Sequence, residues 1–166
     1  MPVFVELAYM VYIGVIGEGT TDRRGAEIAY EVGRLVALKG ALLVCGGLSG
    51  VMDHAARGAK SAGGTTVGIL PGCSRDEANL YIDIAIPTGL GEARNLLVVR
   101  SSDALIAIGG QYGTLSEIAF ALKMGKPIVG ISSWEIKKDT LPGSDFPEVE
   151  TAGEALQIIT AALQMN

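Results

Sequence analysis

The sequence predicts a three-layer, Rossmann-like α/β sandwich with a mainly parallel sheet. Segments with strand and helix patterns alternate along the 166 residues, as they do where helices connect parallel strands. Several strand segments are continuous apolar runs, which indicates that helices cover both faces of the sheet. Many of the 23 glycines directly follow a predicted strand, where turns with special backbone geometry are needed. We expect a single domain over residues 1–166.

The first half of the chain contains four predicted strands and two predicted helices. Residues 1–10 form a short N-terminal arm before the first strand. The first helix has apolar residues on one face at helical spacing. In chain order, the predicted elements are the strand Tyr12 to Ile16, the helix Arg23 to Lys39, the strand Ala41 to Cys45, the helix Val51 to Ala62, and the strands Thr65 to Leu70 and Ile82 to Ile86.

The second half continues the same alternation and then contains a long irregular segment. Residues 132–148 are predicted as a loop, Ser132 to Asp145, followed by a short strand; the loop is a surface connection, a lid or a subunit contact. The predicted elements are the helix Gly91 to Ser101, the strand Ala104 to Ile108, the helix Leu115 to Met124, the strand Pro127 to Ile131, the strand Phe146 to Val149 and the helix Ala152 to Leu163.

Composition excludes several function classes. The net charge of -5 argues against binding to a nucleic-acid backbone, which usually needs a basic face. Two cysteines do not make a disulfide framework. The apolar start contains Glu6, lacks a basic leader and reaches Gly14 too soon for a membrane span. We therefore expect a cytoplasmic protein that contacts neither nucleic acid nor membrane.

The glycine turns do not match the common nucleotide or hydrolase motifs. Gly17-Glu18-Gly19 begins like a dinucleotide fingerprint, but the third glycine is absent. The second strand ends in Cys45-Gly46-Gly47, where a dehydrogenase has an acidic residue for the ribose. No lysine of the kind found in triphosphate-binding loops follows a glycine loop, and His54 is the single histidine. Hydride transfer, triphosphate hydrolysis, serine hydrolysis and a metal site are therefore disfavoured.

The segment Ala104 to Glu117 has the arrangement of an anion site. An apolar strand leads into a turn with Gly109, Gly110 and Gly113, and the turn opens a helix. Glycines allow a ligand to approach the main chain, and the first amides of a helix lack intrahelical partners. Because ligands bind at the carboxyl ends of parallel strands, the sequence predicts a phosphate site at this edge of the sheet.

Several spaced motifs resemble those of the Lonely Guy (LOG) family. The resemblance covers about Tyr12 to Ile131 and is carried by five segments, which read GGLSGVM from Gly46, AGG from Ala62, GILP from Gly68, ARN from Ala93 and GGQYGTLSE from Gly109. Members were often labelled lysine decarboxylases, but nothing in the sequence identifies a cofactor-bearing lysine. The resemblance instead implies cleavage of the N-glycosidic bond of nucleoside 5′-monophosphates, which releases the base and ribose 5-phosphate.

The resemblance also implies roles for two charged residues. Glu117 takes the place of the family's catalytic carboxylate, which stabilises positive charge on the ribose or orients water, and Arg94 that of its conserved arginine. Two residues depart from the hydrolase pattern: Ile108 replaces a proline before the glycines, and Asn95 replaces the lysine after Arg94. In these departures the chain looks more like the molybdenum-cofactor carrier branch, whose members bind a pterin phosphate.

The sequence therefore predicts binding of a nucleotide-like phosphate ligand, a nucleoside monophosphate or a pterin phosphate such as molybdenum cofactor. The alternative is a phosphoribohydrolase. No cofactor is required, and the resemblance implies a homo-oligomer, a dimer or a tetramer. The candidate binding residues are Gly17, Gly19, Thr20, Gly46, Gly47, Ser49, Gly50, Met52, Pro71, Arg94, Asn95, Gly109, Gly110, Gly113, Thr114 and Glu117.

The two charged candidates each have a structural interpretation as well. Thr114 and Glu117 have the spacing of a capping box at a helix start. The same spacing recurs at Thr151 and Glu154, where no glycine turn precedes the helix. Arg94 is predicted near the start of a helix, where the macrodipole disfavours a cation, so it needs an anionic partner. That partner is a ligand anion, Glu92 or Glu117.

Overall fold

The computed structural model describes residues 9–136 and 145–165. Within these residues, seven strands form one sheet in the order β4-β3-β2-β1-β5-β6-β7. Every neighbouring pair is parallel, from β3 with β4 at one edge to β6 with β7 at the other. The predicted fold class is therefore confirmed.

The helices and strands follow the predicted alternation. Two short 3-10 turns, Arg75–Glu77 and Gly91–Arg94, lie in the connections before and after β4. The elements are β1 Tyr12–Gly17, α1 Arg23–Leu38, β2 Leu42–Cys45, α2 Val51–Ser61, β3 Thr66–Leu70, β4 Ile84–Pro87, α3 Asn95–Ser101, β5 Ala104–Ile108, α4 Tyr112–Lys123, β6 Ile128–Ile131, β7 Glu148–Val149 and α5 Ala152–Ala162.

Four predicted elements differ from the observed ones by two residues or more at their starts, and one of them is α4, which begins at Tyr112 rather than Leu115. The helix predicted over Gly91 to Ser101 begins as a 3-10 turn and becomes α-helical only at Asn95. The strand β4 begins at Ile84 rather than Ile82, because Ile82 belongs to a turn closed by its N–H on the carbonyl of Asn79. The strand β7 begins at Glu148, after a proline that has no N–H to give to the sheet. Residues 1–8 of the predicted arm and 137–144 of the predicted loop lie outside the described residues.

Helices cover both faces of the sheet and create two hydrophobic cores. Residues of α1, α2 and α5 pack on one face, and residues of α3 and α4 on the other. The strand β1 contributes to both cores because successive side chains point to opposite faces, with Val15 in the first core and Ile16 in the second. None of the helices in the described ranges has the length and hydropathy that a membrane crossing needs.

The helices α1 and α2 pack closely through glycine. A methyl group added at Gly33 of α1 would overlap the carbonyl oxygen of Ala55, and one added at Gly58 of α2 would overlap that of Tyr30. Each helix therefore presents a glycine to the backbone of the other. This contact depends on the absence of a side chain at both positions.

The strand order creates a crevice next to β1. From β1 the chain moves outward through β2, β3 and β4, then returns to the opposite side of β1 for β5, β6 and β7. The connections after β1 and β5 therefore leave the sheet in opposite directions. In open parallel sheets, the carboxyl end of such a switch point is where ligands bind.

Candidate functional site

A cleft of about 380 Å³ opens at this switch point. Its volume lies within the range of about 300–1,000 Å³ that small-molecule sites occupy. The walls come from the ends of β1, β2 and β3 and from the starts of α3 and α4. Most of the predicted binding residues line it: Gly17, Gly19, Gly46, Met52, Pro71, Arg94, Asn95, Gly113, Thr114 and Glu117.

Four other predicted residues lie outside the cleft wall, and three of them support its turns. The Ser49 hydroxyl donates to the carbonyl oxygen of Gly19 at 2.7 Å. A side chain at Gly47 would crowd the backbone of β3, and one at Gly50 would overlap the carbonyl oxygen of Glu18. That oxygen accepts from the N–H of Val51 at 3.1 Å, so Gly50 allows the β1 turn to rest on the start of α2. Thr20 is exposed beside the same turn.

The two remaining glycines line a depression next to the cleft rather than the cleft itself. Gly109 and Gly110 have φ angles of 55° and 114°, which side-chain-bearing residues rarely adopt. This turn lets α4 begin only four residues after β5 ends. The turn thereby directs the start of α4 toward the cleft.

Sequence reasoning did not find several residues of the cleft. Most of these residues are neighbours of the predicted glycines or lie at the same strand ends. The prediction considered the glycines at these places and left out the residues beside them. They are Val15, Ile16, Glu18, Leu48, Gly91, Glu92 and Gln111.

Arg94 is almost fully buried in the cleft wall, with 8% of its surface exposed. Its guanidinium lies against the backbone at the end of β2, so that a Cβ at Gly46 would stand 2.6 Å from Nη2. Nη1 donates to Oδ1 of Asn95 at 2.7 Å. Nε is buried and has no hydrogen-bond partner among the described residues. Burial lowers the pKa of Arg94, and the Glu117 carboxylate opposes that shift.

Asn95 joins Arg94 to the first turn of α4. Its Nδ2 donates to the Ser116 hydroxyl at 3.1 Å and to the Gly113 carbonyl at 3.4 Å. The Ser116 hydroxyl in turn donates to the same carbonyl at 2.6 Å. The amide of Asn95 therefore positions the guanidinium and ties α3 to α4 across one face of the sheet.

Glu117 lies beside Arg94, with 5% of its surface exposed. Its Oε1 is 3.8 Å from Nη1 of Arg94. Burial raises the pKa of Glu117 to about 7, although Arg94 acts in the opposite direction. The anionic partner of Arg94 within the protein is therefore Glu117, as one of the predicted alternatives held.

The capping-box interpretation of Glu117 is wrong. The helix α4 begins at Tyr112 rather than at the predicted Leu115, and its N-cap is Gln111, whose side chain makes no capping bond. Thr114 is consequently inside the first turn and Glu117 inside the second. The early start follows from the Gly109-Gly110 turn, which leaves room for a first helical bond from the N–H of Leu115 to the carbonyl of Gln111.

The second segment with this spacing does form a capping box. The hydroxyl of Thr151 accepts from the N–H of Glu154 at 3.2 Å, and Oε2 of Glu154 accepts from the N–H of Thr151 at 3.0 Å. The two segments have the same residue spacing but different helix starts. Glu117 makes no capping hydrogen bond, and its side chain lines the cleft.

The cleft wall combines polar groups with apolar side chains. Among the polar groups, the first amides of α4 have no side-chain cap, and Arg94 and Gly113 line the same cleft. Leu48, Met52 and Pro71 form the apolar wall. No group of three or more His, Cys, Asp or Glu side chains is placed to hold a metal ion within the described ranges.

Residues 10–157 match the family model described as the SLOG cluster4 family, LDcluster4. The chain belongs to this family. The predicted resemblance to LOG proteins is thereby confirmed, and curated relatives agree with it. The SLOG cluster4 chain is 53% identical over 122 residues to an uncharacterised protein of Archaeoglobus fulgidus, a match that covers 74% of this chain and 80% of the relative.

A relative with a stated activity is the cytokinin riboside 5′-monophosphate phosphoribohydrolase of Mycobacterium tuberculosis. It is 36% identical over 117 residues, which cover 65% of this SLOG cluster4 chain and 63% of the enzyme. The match thus leaves more than a third of that enzyme's length without a counterpart.

Solved structures of molybdenum cofactor proteins are also similar to this SLOG cluster4 protein. The molybdenum cofactor binding protein of Rippkaea orientalis is 37% identical with a TM-score of 0.85, and the match covers 94% of this chain and 99% of that one. The molybdenum cofactor carrier protein of Chlamydomonas reinhardtii is 36% identical with a TM-score of 0.82, covering 93% and 99%.

A DNA processing protein A from Helicobacter pylori shares only the fold. It is 21% identical with a TM-score of 0.67, and the match covers 94% of the SLOG cluster4 chain and 82% of that protein.

The raised pKa of Glu117 predicts how stability depends on pH. Because burial raises this pKa from 4.5 to about 7, the folded protein binds the proton more tightly than the unfolded chain does. The resulting stabilisation is fully present below pH 4.5 and is lost as the pH rises through 7. We expect the free energy of unfolding of Glu117→Gln to lack this decline between pH 5 and 8. Urea unfolding at several pH values measures it, and equal slopes for both proteins would contradict the prediction.

Proposed function

We propose that this protein binds a small ligand made of a phosphate and a flat heterocycle in the cleft. Such ligands are nucleoside monophosphates and pterin phosphates, including molybdenum cofactor. The observation that carries the proposal is the unpartnered Nε of Arg94. Arg94 lines the cleft with 8% of the residue exposed, and a buried cation with an unused donor is expected to have a further acceptor.

The start of α4 supplies the second part of the phosphate site. Helix amides without a side-chain cap carry partial positive charge and point away from the helix. Gly113, in the first turn of α4, lines the cleft, so a ligand oxygen has access to the main chain there. Together with Arg94, these amides provide charge-assisted hydrogen bonds to a phosphate.

The apolar wall suits the remainder of such a ligand. Leu48, Met52 and Pro71 offer a surface on which a flat ring or a sugar loses contact with water. A pterin phosphate and a nucleoside monophosphate share this combination of an anionic end and a planar body. The residues therefore fit the organic part of molybdenum cofactor, which would be bound as cargo.

Calorimetric titration with AMP, GMP and a pterin phosphate tests the proposal. We expect binding to the wild-type protein by at least one of these compounds. Gly113→Val should abolish it, since a side chain at this position projects into open space beside Asn95, with 3.7 Å to its Nδ2, and so occupies the cleft without disturbing the fold.

Gly153→Val is the matched control for Gly113→Val. Gly153 is also the second residue of its helix, and a Cβ there meets no atom within 4 Å. The control should bind like the wild type. No binding by any of the three compounds, or equal binding by Gly113→Val, would reject the proposal.

Hydrolysis of a nucleoside monophosphate is the second candidate, and Glu117 favours it. Cleavage of an N-glycosidic bond develops positive charge on the ribose, which a nearby carboxylate stabilises. The carboxylate must be ionised for this role, so the rate should increase as the pH rises through about 7. Release of free base, lost in Glu117→Ala, supports the hydrolase; tight binding without release supports a carrier.

The resemblance also suggests properties of the whole protein. We propose a homo-oligomer, a dimer or a tetramer, and a cytoplasmic location without nucleic-acid partners. Light scattering of the purified protein measures the oligomeric state. A titration with single-stranded DNA at two salt concentrations tests whether the protein binds nucleic acid, because binding to the phosphate backbone weakens strongly with salt.

A further inference from the structure

A second depression of about 360 Å³ adjoins the cleft. It is lined by the glycine turn after β5 and by residues that follow β6, among them Ser133 and Trp134. Glu18 lines both the cleft and the depression. A ligand whose phosphate lies at the start of α4 can therefore extend past Glu18 into this second space.

Hydrogen bonds hold an aromatic wall beside the depression. Nε1 of Trp134 donates to the carbonyl oxygen of Gln111 at 3.2 Å, and the Ser133 hydroxyl donates to that of Gly109 at 2.7 Å. The ring centroids of Trp134 and Tyr112 are 6.0 Å apart, with their planes at 36°. Tyr112 is 82% exposed. Trp134 is thus an aromatic wall of the depression, and the exposed Tyr112 ring lies next to it.

The glycine turn at the floor of the depression has the Glu18 side chain above it. A Cβ built at Gly109 meets only one side chain within 4 Å, the Glu18 carboxylate, whose Oε1 is 3.2 Å away. The carboxylate therefore lies directly over the bare backbone of the turn. A flat ring that enters the depression would meet this carboxylate, and Trp134 lines the same space.

The Glu18 carboxylate has no partner within the part of the chain that the structure describes. Its backbone is fixed, because its carbonyl oxygen accepts from the N–H of Val51, yet no hydrogen bond or ion pair engages its side chain there. An ionised carboxylate only accepts hydrogen bonds, and its two oxygens match two adjacent donors on one ligand edge.

We infer that Glu18 determines ligand specificity by binding a 2-amino-4-oxopyrimidine edge, which guanine and pterin share. This edge presents a ring N–H and an exocyclic amino group side by side. Hypoxanthine lacks the amino group, and adenine presents an acceptor in place of the ring N–H. The inference rests on the proposed function, since the same ligand's phosphate occupies the cleft.

Comparing GMP, IMP and AMP tests the inference. GMP and IMP differ only in the amino group, and a hydrogen bond to a charged group corresponds to about tenfold or more in affinity. We expect calorimetry to give a GMP affinity at least about tenfold above that of IMP, and AMP to bind most weakly. Trp134 is the single tryptophan of the chain, so GMP should also change the intrinsic fluorescence.

Two variants distinguish recognition of the pyrimidine edge by Glu18 from a general effect of negative charge on nucleotide binding. Glu18→Gln should reduce the ratio of GMP to IMP affinity to within about threefold, because an amide offers one acceptor instead of two. Glu150→Gln removes the same charge at an exposed position outside the cleft and the depression, and it should leave this ratio unchanged.

The outcomes distinguish the inference from the proposed function. If neither the nucleotides nor a pterin phosphate binds by calorimetry, both fail. If they bind without a preference for GMP, or without a change in Trp134 emission, the inference is overturned and the proposed function stands. A preference that survives in Glu18→Gln would likewise overturn the role of this residue.

Discussion

Arg94→Met is expected to lower the affinity for a nucleoside monophosphate by about 100-fold, within the range measured when one partner of a buried charged contact is removed. The guanidinium would lose its charge-assisted bonds to the phosphate, and no other cation lines the cleft in the described residues. Methionine keeps much of the buried volume, so the effect should come from the lost donors rather than from a cavity. Calorimetry with GMP at constant ionic strength measures the change.

Arg100→Met is the control for this substitution. Arg100 lies in α3, is exposed, and changes the net charge of the protein by the same amount. It should bind GMP like the wild type. If Arg94→Met also bound within about threefold of the wild type, Arg94 would act only as the internal partner of Glu117, because loss of a phosphate contact costs far more.

Gly58→Ala should lower the free energy of unfolding by about 1–3 kcal/mol, as expected for overpacking at a tight contact. The added methyl would overlap the carbonyl oxygen of Tyr30 in α1, and a backbone group cannot move aside as a side chain can. For a domain of this size, a loss of this magnitude lowers the melting temperature by about 2–12 °C. Differential scanning calorimetry and urea unfolding measure both quantities. Gly33→Ala should behave similarly, because the contact is reciprocal.

Gly153→Ala supplies the comparison for this prediction. Gly153 is also helical, but a Cβ there meets no atom within 4 Å. Alanine should leave stability unchanged or raise it by about 0.4–1 kcal/mol, through the reduced entropy of the unfolded chain. Equal stability of Gly58→Ala and Gly153→Ala would show that α1 and α2 are not in the close contact described here.

The fold was predictable because its signals are local and repeated. Continuous apolar strands such as Ala104 to Ile108 mark a covered parallel sheet, and the alternation with helices gives the connections. Boundaries were less predictable where a turn competes with the pattern. At Ile82, a hydrogen bond to Asn79 in the preceding turn delays the strand to Ile84.

The site was predictable at its glycines and much less so at its side chains. Strand ends identify Gly17 and Gly46, since the carboxyl ends of parallel strands meet at one edge. The capping spacing at Thr114 was misleading because a capping box depends on where the helix begins, and the preceding glycine turn decides that. Glu18 could have been found by asking which side chains stand between the glycines.

The contact between Arg94 and Gly46 is not visible in the sequence. Forty-eight positions separate the two residues, and only the folded chain places the guanidinium 2.6 Å from where a Cβ of Gly46 would be. No local pattern encodes such a distance. Likewise, the unused Nε of Arg94 follows from the packing of three segments and cannot be inferred from any one of them.

This contact has a consequence for anyone who redesigns the cleft. A side chain at position 46 and the guanidinium of Arg94 would occupy the same space. Even the methyl group of alanine there would displace the guanidinium, although the substitution changes no polar group. Under the proposed function, a methyl group at position 46, directly after β2, would weaken binding by displacing Arg94. A related chain with a larger residue at position 46 would therefore need another position for the guanidinium of its arginine.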